Sequence, residues 1–169
     1  MNGIERLKQH VKGFARATKY EIIISHDFIT ATPYQFTASA SNIPKLEYGV
    51  TAVKRWGVSK NLPISVDYDA IDITFYMDID FAVYNAFIKW MDQVADREKM
   101  IFNFYDNYVK TISFKLFDDD ETVKHSVQLI NAWPRAVSSY QIGADKVDEF
   151  LEFTVTFEYE RVKFNAKEL

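Results

Sequence analysis

The chain contains no cysteine, which excludes disulfide bonds and thiol chemistry together. That absence fits folding in a reducing cytoplasm. Only three histidines occur, and His10, His26 and His125 stand far apart with no HExxH-type pairing. They read as surface or packing residues rather than metal ligands. The run Asp118-Asp119-Asp120-Glu121 lacks the spacing that distributes carboxylates around calcium, so it reads as a solvated turn. There is no glycine-rich phosphate cradle, no Gly-x-Ser-x-Gly elbow and no dinucleotide fingerprint. The 24 acidic residues could be paired almost at will, so they nominate no acid/base couple. Five glycines and four prolines are too few for a disordered or fibrous chain. A basic excess is missing as well. The net charge of −4 gives no support to a dedicated nucleic-acid binder. No apolar run reaches transmembrane length, and the first residues lack the continuous apolar stretch of a signal peptide. The expectation is a soluble, non-enzymatic protein with no cofactor, no metal and no membrane partner.

What is present is sheet. Aromatic residues make up 16% of the chain, mostly Phe and Tyr, a bias that favours strands over helices. From Glu149 to Glu160 the sequence alternates: Leu151, Phe153, Val155, Phe157 and Tyr159 point one way, and Glu152, Thr154, Thr156, Glu158 and Glu160 the other. Such alternation marks a strand with one face on a core and one face wet. Ile71, Ile73, Phe75, Met77 and Ile79 alternate in the same way with Asp72, Thr74, Tyr76, Asp78 and Asp80. Further strands are expected at Lys19–Ser25, Gln35–Ser41, 109–117 and 123–132, with Trp133-Pro134 forming a corner before the final strand. Helical spacing of Ile4, Leu7, Val11, Phe14 and Ala15 predicts an amphipathic helix over 3–16. Phe81, Tyr84, Phe87, Ile88, Met91 and Val94 predict a second helix over 81–95, capped by Asp80.

One segment fits neither period. From Pro44 to Pro63 apolar residues are interleaved with Lys45, Lys54, Arg55 and Lys60, and the stretch reads as a long loop, a kind that is usually functional. Trp56, Trp90 and Trp133 could form a stacking platform for bases or sugars, but Trp90 beside the apolar face of a helix and Trp133 at the end of a strand favour core packing.

Three blocks follow one another along the chain. Phe14-Ala15-Arg16 leads into the strand Lys19–Ser25. Asp69–Met91 runs from an alternating strand through an acidic cap into an amphipathic helix. Ile130-Asn131-Ala132-Trp133-Pro134, then Val137, precedes a polar turn and the final strand. In this order the blocks resemble the major tail tube protein of contractile-tailed bacteriophages, a resemblance that spans nearly the whole chain and is weakest over 96–112. It implies a mainly β, antiparallel sandwich or barrel-like tail tube fold with one flanking α-helix and an N-terminal helix. It also implies six-fold rings stacked into a hollow tube, the conduit for genome ejection, within a contractile sheath. Implied partners are further copies of the chain, tail sheath and baseplate proteins, and DNA in transit without specific binding. The place is the virion tail, assembled in the host cytoplasm.

On that reading the chain is a single tail-tube domain over 1–169, with an N-terminal helical arm over 1–17 and a long inter-ring loop over 44–63. Leu46, Tyr48, Val50, Val53 and Trp56 are the inter-ring candidates, being too apolar for a free loop. Asp72 and Asp78 on one strand, and Glu152, Glu158 and Glu160 on the other, are the lumen-facing candidates, since an acidic wall would repel a polyanion. A baseplate tube-initiator and a secretion-system or bacteriocin inner tube are the alternatives of the same class. A monomeric β-barrel around a small apolar ligand is the alternative of another class.

Overall fold

The computed structural model describes residues 19–25, 38–117, 120, 122–140 and 150–164. The predicted helix over 3–16 and residues 35–37 of the strand expected at Gln35–Ser41 lie outside these. In chain order the strands are β1 (Tyr20–Ile24), β2 (Ala38–Ser41), β3 (Glu47–Arg55), β4 (Val58–Asp67) and β5 (Ile71–Tyr76), followed by helix α1 (Ala82–Val94). Two short strands, β6 (Ala95–Asp96) and β7 (Ile101–Phe102), and one helical turn, α2 (Tyr105–Tyr108), occupy the stretch after it. The chain then forms β8 (Lys110–Phe117), β9 (Val123–Val137), β10 (Glu152–Glu158) and β11 (Arg161–Phe164).

Seven strands make one antiparallel sheet in the order β1-β8-β9-β10-β5-β2, with β11 also paired to β9. The sheet curls because β9 serves two limbs. Its first half pairs with β8 and β11, and its second half pairs with β10. Asn131 lies between the halves with φ 55°, a left-handed conformation that bends the strand, and its side-chain amide donates to Glu160 on the partner ribbon. The curl brings the two end strands together, where the Tyr20 hydroxyl donates to the Ala38 carbonyl.

Packing accounts for the alternation. Ile71, Ile73 and Phe75 of β5, and Phe153, Val155 and Phe157 of β10, turn inward beside Ile112, Phe114, Val127 and Leu129 from the other limb. Helix α1 closes this interior with Phe87 and Trp90. Phe87 sits 5.0 Å from Phe75, 5.9 Å from Phe153 and 6.0 Å from Phe157, ring centre to ring centre. The aromatic rings that a ligand-binding barrel would use to line a cavity are packed on each other. Trp90 also donates its indole N–H to the Tyr108 carbonyl at 2.7 Å, which ties α2 to the helix.

Several expectations need correction. The segment 44–63 is no loop: β3 and β4 pair over their whole length as a hairpin, from Glu47↔Asp67 to Arg55↔Val58. Asp80 does not cap α1. Phe81 turns into the left-handed region at φ 54°, and Asp78 instead accepts the Ala82 and Val83 N–H groups at 3.2 and 3.3 Å. Asp78 is therefore a helix-terminus residue and not part of a strand's wet face, because β5 ends at Tyr76. Glu160 likewise lies past the end of β10. Trp133-Pro134 is not a corner but part of β9. In this half the strand pairs only with β10 among the described residues, so the N–H that proline lacks is not missed by a second neighbour.

Candidate assembly interface

Among the described residues, the hairpin β3–β4 is a long stretch that the fold leaves uncovered. Every residue of β4 is exposed. Its root is fixed at the Ile71 end of β5: β2 pairs there through Ser41↔Ile73, and β4 re-enters β5 through Tyr68–Ala70. The two turn residues, Trp56 and Gly57, have φ of 52° and 84°, the paired left-handed conformations that match a two-residue turn to strand twist. Gly57 meets that requirement at no steric cost, whereas Trp56 accepts it against its side chain's preference. At the root, Gly49 admits close approach of the partner strand, since a Cβ there would lie 2.1 Å from Ser65 Oγ.

Register shows why this ribbon escapes the alternation test. Paired residues share a face, so Tyr48 and Val66 lie on one side. Val53 with Lys60, and Thr51 with Leu62, lie on the other, together with Val58. Both faces carry apolar side chains. Leu46, Tyr48, Val50 and Val53, four of the inter-ring candidates, are each 40% or more exposed, and Trp56 at the tip is 99% exposed. Sequence reasoning stops at Val58 and misses the rest of β4. Leu62, Ile64 and Val66 are as uncovered as Val58. The alternation of Leu62, Ile64 and Val66 with Asn61, Pro63 and Ser65 is the available signal, obscured when Pro63 is taken as a boundary.

The outward face of the β10–β5 limb is polar and ordered. Thr156 donates to Asp72 at 2.6 Å, the Thr74 and Thr154 hydroxyls meet at 2.9 Å, and Arg135 donates to Glu158 at 2.7 Å. Asp72, Glu152 and Glu158 thus share one face, with Arg135 partly offsetting Glu158. The outward face of the other limb leans the opposite way: Lys163 pairs across from Gln128 and Arg161 from Ile130, while Lys115, across from Ser126 on one side, faces Glu21 on the other. Among the described residues no group of three His, Cys, Asp or Glu could hold a metal ion. No described helix is long and apolar enough to cross a membrane.

The model of the phage tail tube protein family matches residues 13–165. The chain belongs to that family. A tail tube protein of Serratia phage KSP90 is 24% identical over 155 residues, covering 87% of this chain and 86% of that protein. Two solved structures share the fold at low identity. A chain of the anti-feeding prophage baseplate superposes with a TM-score of 0.72 at 11% identity, over 94% of this chain and 100% of that one. A chain of the sheath–tube complex of an extracellular contractile injection system gives 0.62 at 13% identity, over 99% and 100%. The tail tube family is structural, and the protein is a phage tail tube component, part of the tail. For a tail tube protein, a polar sheet face and an uncovered apolar hairpin are the features to account for.

Proposed function

We propose that this tail tube protein acts, without catalysis, as a single domain that closes into rings of six, and that the rings stack head to tail into a hollow conduit for genome ejection within a contractile sheath. The observation that carries the reading is the hairpin. An isolated two-stranded ribbon is marginal in water, and this one exposes large apolar side chains on both faces. Such a surface needs cover from outside the subunit. Leu46, Tyr48, Val50, Val53 and Trp56, joined by Val58, Leu62, Ile64 and Val66, gain that cover from the adjoining ring.

The wall of the channel is the outward face bearing Asp72, Glu152 and Glu158. Repeated around a ring, these carboxylates give a concave surface of one sign that repels a polyanion in transit. Asp78 and Glu160 are left out of that face. The more basic limb, with Lys163 and Arg161, then turns away from the lumen. Sheath and baseplate proteins are the remaining partners, and assembly takes place in the host cytoplasm.

Analytical ultracentrifugation across concentrations, with negative-stain imaging of the heavy fraction, tests this reading. Ring-sized and tube-sized species that grow with concentration support it. A protein that stays monomeric at the highest attainable concentration refutes it.

A further inference from the structure

Head-to-tail stacking needs two different surfaces on each subunit, a projecting one and one that receives it. The hairpin is the projecting one. We infer that the receiving surface is the exposed Tyr76–Phe150 pair together with Ile79, three residues beyond Tyr76, and that its occupant is the Trp56 tip of the hairpin from a second copy of this chain. This rests on the tube reading above and adds the partner surface that it lacks.

The cluster stands at the end of β5 opposite the hairpin's root. The hairpin leaves and re-enters the sheet beside Ile71 and Ile73, whereas Tyr76 closes the strand and Met77 continues its pairing by donating to the Leu151 carbonyl at 2.8 Å. A copy displaced along the strand direction therefore turns this end toward the end from which its neighbour's hairpin springs. Nine residues of β3 extend about 30 Å, longer than β5 itself, so the tip can leave its own subunit.

The cluster has the chemistry of an unoccupied contact. Ile79 is 96% exposed and Phe150 84% exposed. Tyr76 and Phe150 meet edge to face at 6.2 Å, and both rings remain open to solvent. Ile79 sits on a turn that the Asp78–helix contact holds in place. Charge is complementary as well. Asp80 beside Ile79 and Glu152 opposite Tyr76 form an acidic rim, with Glu152 at the lip of the channel. Lys54 and Lys60 flank the hairpin tip, and none of these four has an ion-pair partner among the described residues.

A second exposed apolar patch, Ile101, Phe102 and Phe104, is the competing receiver, and its position argues against it. The chain that follows it docks on Asn131 and Trp133, through the Tyr105 hydroxyl and the Tyr108 ring. Trp133 lies across from Glu158, and Phe157 next to it lies across from Ile71, so this patch is at the hairpin's own end of the sheet.

The chain's lack of cysteine makes the test clean. Val58→Cys is combined in turn with Ile79→Cys, Phe150→Cys and Ile101→Cys in the full chain, and assembled protein is treated with a short bismaleimide. All four positions are exposed, so the variants keep the fold; circular dichroism checks this. The expected result is a ladder of covalent multimers with Ile79→Cys and Phe150→Cys, and none with Ile101→Cys. Ile79→Ser should also raise the concentration needed for tubes by more than about tenfold, the change that losing one buried isoleucine contact entails. Tubes that form normally yet give no ladder through residues 79 or 150, or that cross-link through residue 101, overturn the assignment while leaving the tube reading intact. If the unaltered chain forms no multimer at any concentration, the tube reading fails and this inference fails with it.

Discussion

Replacing Trp56 by asparagine separates the stability of the turn from the ring contact proposed for it. In the free subunit Trp56 is 99% exposed and packs on nothing, yet its backbone holds φ 52°. Asparagine accepts that conformation better than tryptophan, and Asn-Gly is the favoured pair for a two-residue hairpin turn. Trp56→Asn should therefore leave the subunit as stable as before, within about 0.5 kcal/mol, with a hairpin at least as well formed. Assembly should suffer. A tryptophan that moves from full exposure to burial at a ring contact contributes on the order of 2 kcal/mol or more, a factor of roughly 30 in each subunit's contact. Since six such contacts break together for each ring, tubes should disappear over the accessible concentration range. Thermal unfolding by circular dichroism and pelleting assays read the two effects separately. In the unaltered chain, assembly should also shift tryptophan emission to the blue, because Trp90 is already buried and Trp56 is the ring with the most exposure to lose. A Trp56→Asn protein that polymerises like the unaltered chain would refute the reasoning, and so would one whose subunit unfolds.

Four further outcomes are expected. Gly57→Val forces a β-branched residue into φ 84° and should cost about 1–2 kcal/mol of hairpin stability, seen as faster amide exchange confined to residues 47–67. Asp78→Ala removes the acceptor for the Ala82 and Val83 N–H groups and should destabilise the subunit by about 1 kcal/mol in chemical denaturation, whereas Asp80→Ala should change little. Phe87→Ala empties the centre of the aromatic cluster and should cost about 3–5 kcal/mol. Tyr159 donates its hydroxyl to the Asp69 carbonyl at 2.7 Å, and burial, then Asp69, push its pKa from 10.0 up to about 12. Because the folded value is the higher one, this contribution is complete below pH 10 and is lost as pH rises toward 12; Tyr159→Phe should flatten the alkaline limb of the stability curve over that window.

The strands that bury one face are legible in the amino-acid sequence alone. Ile71, Ile73 and Phe75, and Phe153, Val155 and Phe157, show their alternation because the core sorts each side chain to one side. Helix α1 is legible for the same reason, within a residue at either end. The hairpin is harder to read: Leu62, Ile64 and Val66 alternate, but Pro63 interrupts that run, and the bulge beside Gly49 and Val50 sends Val66 to the face of Tyr48 and Leu62 to the face of Thr51. Sequence pattern puts the helix cap two residues late, since nothing local marks Phe81 for a left-handed turn that hands the N-terminus to Asp78. Proline in β9 hides a strand of 15 residues, because its tolerance depends on which neighbour is missing at that point. The acidic face is visible as composition, but only register shows that Arg135 tempers Glu158. The receiving surface is only half visible in the sequence: Ile79 follows Tyr76 by three residues, but Phe150 meets Tyr76 only through the pairing of β5 with β10.

An image reconstruction of tubes assembled from the purified chain tests the central claim most directly. The account predicts six subunits per ring, the hairpin 47–67 reaching into the next ring, and Asp72, Glu152 and Glu158 facing the channel. A reconstruction in which the hairpin lies back on its own subunit, or in which those carboxylates face outward and the channel is lined by Lys and Arg, would contradict it.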